Sequence, residues 1–128
     1  MQDFYSLTGG KWWKVDFHLH TPGSYDYGHG DETQKSITPK EFLKCCMRAE
    51  LDCIVVADHN TCEWAIKLRT ALKELKAEHG KDFREICIFP GIELNVQGNV
   101  HLLGIFDPDT DDKTLLAIPL LVEYNEEL

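Results

Sequence analysis

The residues best suited to chemistry in this sequence are imidazoles and carboxylates set into apolar runs. His18 and His20 lie two apart at the end of a short β-prone stretch, 14–19 (KVDFHL), so an extended backbone points both rings to one face. Two imidazoles on one face supply a divalent cation with two nitrogen ligands; the plainer alternative packs one ring in a core and solvates the other. Asp16 lies on the same alternating face and could orient His18. Asp58 and His59 end the apolar run Cys53–Ala57 (CIVVA), where burying ionisable groups is costly unless something pairs with them. A capping role would explain Asp58 but not His59, which reads as a ligand. Glu93, inside Pro-Gly-Ile-Glu-Leu, and His101, inside Val-His-Leu-Leu-Gly, are likewise lone polar groups in apolar surroundings, although His101 alone could be an ordinary core histidine.

Hairpin geometry decides whether Glu93 and His101 can meet. A two-residue turn at Gly98-Asn99 would set Val96 opposite His101 and send Glu93 to the other face. A three-residue loop, Gln97-Gly98-Asn99, sets Asn95 opposite His101 and puts Glu93 on the same face. A shared site therefore requires the three-residue loop or a bulge.

The elements that must carry these groups alternate. After the first strand a long Gly-, Pro- and Tyr-containing loop runs from Thr21 to Ile37, a length that in a compact domain usually signals function. Thr38-Pro39-Lys40-Glu41 is a capping box with proline at the first helical position, predicting a helix over 39–50. The run 53–57 is a buried strand, with Asp58–Thr61 available to cap the next helix. Trp64, Leu68, Leu72 and Leu75 form a helical stripe, with Gly80 as its stop. Ile86–Phe89 reads as a strand ended by Pro90-Gly91, and 92–106 as two more. After the acidic turn 107–112, the segment 114–128 is helix-like but interrupted by Pro119. This order predicts an α/β fold with a largely parallel sheet, in which polar chemistry gathers at the carboxyl ends of the strands.

Four blocks of the chain carry a family resemblance. Asp16–Asp26 (DFHLHTPGSYD), Val55–Thr61 (VVADHNT), Pro90–Leu94 (PGIEL) and Val100–Gly104 (VHLLG) resemble, in order, the first motifs of the PHP (polymerase and histidinol phosphatase) family. The resemblance spans about residues 14–106. It implies the N-terminal part of a distorted (β/α)7 TIM-like barrel with a two- or three-metal cluster at the strands' carboxyl ends. By position, it implies that His18 and His20 bind one metal, that Glu93 bridges it to a second held by His101, and that Asp26 and His59 hold a third. Asp58 would support these ligands from behind, and catalysis would run through metal-bound water at His18, His20 and Glu93. His29, in the same loop as Asp26, is a weaker candidate, and His79 is none.

The family's later histidine and D-x-H motif have no counterpart after His101, and closed barrels of this type generally need more than ~200 residues. The 128 residues therefore read as one incomplete PHP-like domain, the first half of an active site. The implied function is a metal-dependent phosphoesterase. Several cations about 3.5–4 Å apart suit phosphate ester hydrolysis. A nitrogen-rich set with a bridging carboxylate favours Zn, Mn or Fe. The substrate would be a small phosphate ester or a nucleic acid. The alternative is a non-catalytic metal-binding module serving assembly or regulation in a larger, ATPase-fused protein; an amidohydrolase, which also begins with H-x-H, ranks third.

Composition is compatible with all three. With 13 basic and 22 acidic side chains the net charge is −9, unfavourable for nucleic acid or anionic membrane unless bound cations reverse the local field. There is no 20-residue apolar span and no signal-peptide pattern, so the expected setting is the cytoplasm and no membrane partner is expected. The five cysteines form no C-x-x-C pair and read as small buried hydrophobes, Cys62 lying nearest the proposed site. A half-barrel leaves apolar surface uncovered, predicting self-association or a downstream domain that completes it.

Overall fold

The computed structural model describes residues 10–122. They form a curled four-stranded sheet in the order β1 (Val15–Leu19), β2 (Cys53–His59), β3 (Cys87–Val96), β4 (Val100–Ile105). The first three strands run parallel, and β4 returns antiparallel to β3. The helices are α1 (Glu32–Lys35), α2 (Pro39–Arg48), α3 (Glu63–Glu78) and α4 (Asp112–Leu121). The predicted α/β class is thus the observed one, and the curl of the sheet is consistent with a partial barrel.

Helix α2 starts as its sequence demands. The Thr38 hydroxyl accepts from the Glu41 amide at 3.2 Å while the Glu41 carboxylate accepts from the Thr38 amide at 2.8 Å. Its apolar positions Phe42, Leu43, Cys46 and Met47 meet Leu68 and Leu75 of α3 and Ile54, Val56 and Ile88 of the sheet, forming the main core. A smaller cluster joins Cys62, Ile92 and Leu115. Cys62 is a core residue whose thiol donates to the Gly91 carbonyl at 3.4 Å. Cys45, by contrast, is exposed rather than buried.

Several boundaries differ from expectation because strand pairing overrides local signals. β3 does not stop at Pro90-Gly91 but runs through it. The Pro90 carbonyl accepts from Phe106, the residue after β4 ends, so the missing proline N–H falls outside the β3–β4 ladder. Gly91 is needed there for space, since a Cβ would lie 2.9 Å from the Gly104 carbonyl and 3.0 Å from that of Val56. β2 continues two residues past Ala57 because Asp58 and His59 pair with Ile92 and Glu93. Asp58 therefore does not cap α3; Thr61 accepts from the Glu63 amide instead. The stop of α3 is His79 in the left-handed conformation (φ 51°), not Gly80. The long loop is not structureless: it holds a 3-10 turn over Tyr27–Gly30 and the short α1. Helix α4 carries Pro119 within it and ends at Leu121; residues 123–128 of the expected 114–128 segment lie outside the described residues.

The two sheet faces differ. One is covered by α2 and α3. The other carries Val15, Phe17, Cys53, Val55, Phe89 and Ile105 around an open apolar hollow, with Phe17 65% exposed. On β2 and β3 this open face reads Cys53/Cys87, Val55/Phe89, Ala57/Gly91, His59/Glu93 in register, apolar until the carboxyl edge and then polar. Among the described residues no helix is long and apolar enough to cross a membrane.

Candidate metal centre

Backbone register brings the polar residues to one place. Between Asp16 and Leu19 the strand β1 advances three residues while β2 advances two, which is a β-bulge. The extra residue lets Phe17 and His18 both face the open side. Asp16 is thereby removed from the face it was expected to share; its carboxylate accepts from the His18 amide at 3.2 Å instead of reaching the ring. At the other edge β3 and β4 are joined by the three residues 97–99, with Gly98 and Asn99 at positive φ. Asn95 pairs with His101, so Glu93 and His101 share a face, as a common site requires.

Glu93 is the hub, with its side chain 4% exposed. Its Oε2 lies 3.0 Å from His18 Nε2, 3.1 Å from His20 Nε2 and 3.9 Å from His59 Nδ1. Its Oε1 is in contact with His101 Nδ1. The ring of His20 stacks on that of His59 at 4.8 Å, and His101 meets His59 edge-on at 6.1 Å. His59 Nε2 in turn lies 3.5 Å from Asp26, which is half exposed. The structure thus gathers His18, His20, Glu93 and His101 into one group, with His59 linking that group to Asp26.

Electrostatics follow from burial and partners. Burial pushes the Glu93 carboxyl up, but the hydrogen bonds with His101 and His18 outweigh it and hold it below the usual glutamate value. Asp58, 1% exposed, is raised by burial, with hydrogen bonds from Thr21 and Ser24 opposing. Asp58 Oδ1 accepts from the Thr21 amide at 2.6 Å and the Ser24 hydroxyl at 2.7 Å, and Oδ2 from the Thr21 hydroxyl. Asp58 thus stands behind the cluster, clasping the turn after β1. His29 lies away from the group, exposed in the 3-10 turn, its amide donating to the Asp26 carbonyl. His79 caps α3.

The chemistry of this donor set fits a divalent cation. The ligand atoms of His18, His20 and Glu93 lie within 4.8 Å of one another. His59 Nδ1 is a buried ring nitrogen with no hydrogen-bond partner, aimed at a carboxylate 3.9 Å away. Buried polar atoms are rarely left unpaired, and a cation held by His59 and Glu93 would resolve the deficit. Ser24, Thr21 and Tyr25, whose ring lies 5.2 Å from that of His59, belong to the site but went unremarked in the sequence. The turn signal Thr21-Pro22-Gly23-Ser24 directly after H-x-H was the available clue.

No protein-family model matches the chain, and no curated protein does. Among solved structures it resembles an amidohydrolase from Chromobacterium violaceum, determined with bound sulfate and no metal, at 20% identity and a TM-score of 0.48. The match covers 76% of this chain and 29% of that one, so the chain spans under a third of that structure's length.

Proposed function

We propose that this chain is the N-terminal, ligand-bearing part of a PHP-type (β/α)7 barrel and that its chemistry is metal-dependent hydrolysis of a phosphate ester. One observation carries the metal-dependent part: four imidazoles, three from the carboxyl edge of the parallel strands and one from the antiparallel β4, converge on a single buried carboxylate. The phosphoester part rests on the ordered sequence motifs. His18, His20, Glu93 and His101 would hold the first pair of ions, and His59 with Asp26 a further one. A bound divalent cation, zinc, manganese or iron by donor type, supplies Lewis-acid activation of water and neutralises phosphate charge.

The residues themselves orient and support. Glu93, ionised by its histidine partners, concentrates negative charge where cations must sit. Asp58 fixes the turn that carries His20. The rim, where His18, His101 and Asp26 are partly exposed, leaves the cluster open to substrate. Below it, the uncovered hollow around Val15 and Phe17 supports a second element of the proposal: further barrel strands or another copy of the chain cover this face. The same opening favours the rival reading, a metal-binding module that acts only within a larger assembly.

Metal analysis of purified protein, followed by hydrolysis of p-nitrophenyl phosphate and its diester before and after chelation, tests the reading. One or more ions per chain with chelator-sensitive, metal-restorable turnover is the expected result. Fewer than about 0.5 ions per chain and no chelator-sensitive turnover would overturn it.

A further inference from the structure

Two thiols meet on the open face of the sheet, at the end opposite the candidate metal centre. Cys53 opens β2 and Cys87 opens β3, and the two are register partners in the parallel ladder, so both side chains leave the same face. Cys53 lines the apolar hollow beside Val15 and Val55 and is 8% exposed. Cys87 is half-buried and forms part of the wall of a separate cavity of about 250 Å3 at the amino edge, together with Trp13, Leu72 and Asp109. The two thiols are hydrogen-bonded to each other. The other three cysteines are placed differently. Cys46 and Cys62 sit in separate core clusters, and Cys45 lies on the outer surface of α2, where its sulfur accepts from Arg48.

Adjacent strands stand about 4.8 Å apart, within the roughly 4.4–6.8 Å range of Cα separations that a disulfide spans. Register partners on parallel strands run side by side, so the sulfurs must lean together to bond, and the bond is strained. Strained disulfides are the labile, readily reduced ones. We propose that Cys53 and Cys87 form a reversible thiol–disulfide site, oxidised across the β2–β3 ladder by a low-molecular-weight disulfide that enters through the amino-edge cavity. The more exposed Cys87 reacts first. Its thiolate, having released its proton to solvent, attacks one sulfur of the reagent RSSR. A Cys87–S–S–R bond forms, the reagent's S–S bond breaks, and RS− leaves and is protonated. Cys53 then loses its proton and attacks the Cys87 sulfur, expelling a second RS− that is protonated in turn. The two protein thiols are oxidised to one disulfide, and the reagent is reduced to two RSH. Burial, and then the neighbouring Cys53, push the Cys87 thiol up to about 11, so its thiolate is scarce at neutral pH and the exchange is slow there. The bond ties together the same two strands whose far ends hold His59 opposite Glu93.

Peptide mapping of the full chain tests the site. Reduced protein is equilibrated with mixtures of 2-mercaptoethanol and its disulfide at about pH 8.5, where thiolate is more abundant, then quenched with acid, alkylated and digested. In the oxidising mixtures the expected product is a chain that has lost two hydrogens and carries a Cys53–Cys87 peptide pair, returned to free thiols by excess 2-mercaptoethanol. Cys53→Ser should stop at the mixed disulfide on Cys87, and Cys87→Ser should leave Cys53 reduced. Where a variant fails to fold, the wild-type digest decides. A wild-type chain in which Cys45 takes up the reagent while Cys53 and Cys87 stay free overturns the proposal. A mixed disulfide on Cys87 that never closes, or a bridge that excess thiol does not reopen, overturns it as well. Oxidation of the chain unfolded in guanidinium chloride should spread the bridges over all five cysteines. A native Cys53–Cys87 share no greater than in that spread also defeats the site.

Discussion

Glu93→Gln removes the central charge of the cluster while keeping its shape, and its consequence can be sized. A unit charge pair about 4 Å apart near a protein surface is worth about 4 kcal/mol, so a divalent ion at that distance draws about 8 kcal/mol from the carboxylate. If the glutamine carbonyl and incoming water return about two-thirds of it, the net loss is about 2.7 kcal/mol, a hundredfold in Kd. A thermal-shift titration with Zn2+ makes this visible. At a free concentration of about 100 Kd the wild-type chain gains about 2.7 kcal/mol. At roughly 4 °C per kcal/mol for a domain of this size, that is a rise of about 10 °C. At the same concentration the variant sits near its own Kd and gains about 0.4 kcal/mol, a rise of about 2 °C. The metal-free variant should fold, because glutamine keeps the shape and an acceptor oxygen of a side chain that is 4% exposed, while weakening its charge-assisted bonds with His101 and His18. A Zn2+-induced rise in the folded variant within about 2 °C of the wild type's would refute Glu93 as the common ligand.

Three further outcomes rest on the packing. Gly23→Ala places a Cβ 2.8 Å from Asp58 Oδ2 and 2.9 Å from Trp64 Cδ1, so it should cost about 1–3 kcal/mol in denaturant unfolding and weaken Zn2+ binding; an unchanged midpoint contradicts the tight clasp. Asp52 accepts from the Lys14 amide at 2.8 Å and from Arg84 at 2.6 Å. The Lys14 bond above all, joined by Arg84 and opposed by burial, lowers its pKa. Its stabilisation is therefore present above the unfolded value of about 3.9 and lost as pH falls through the folded value. Asp52→Asn should flatten the stability curve across that acid window, and an unaltered acid limb would count against it. Finally, light scattering should show concentration-dependent association that Phe17→Asp abolishes; a wild-type chain that stays monomeric at high concentration would remove self-association through the open face.

Much of the fold was legible locally because its signals are local. The Thr38–Glu41 capping box, the β-branched run of β2 and the four-residue spacing of α3 each express a backbone preference within one turn or one strand. The ligand candidates were legible for a related reason: a histidine or glutamate inside an apolar run contradicts its neighbours, and that contradiction is written in the chain. Even the three-residue hairpin could be stated as a condition, since strand pairing has a period of two.

What the sequence left open depends on residues far apart in the chain. The bulge that turns His18 inward and Asp16 away arises from the register of β1 against β2. The passage of β3 through Pro90-Gly91 is possible only because β4 ends where the proline would have needed a partner. Asp58 has the local setting of a helix cap, but the fold places Thr21 and Ser24 against it, 37 and 34 residues away. The sequence by itself determined which residues could hold a cation and which segments would be strands and helices. Only the tertiary structure decided that four imidazoles meet on one carboxylate and that Asp58 clasps the turn beside them, because burial and hydrogen-bond partners belong to the assembled sheet and not to any segment of it.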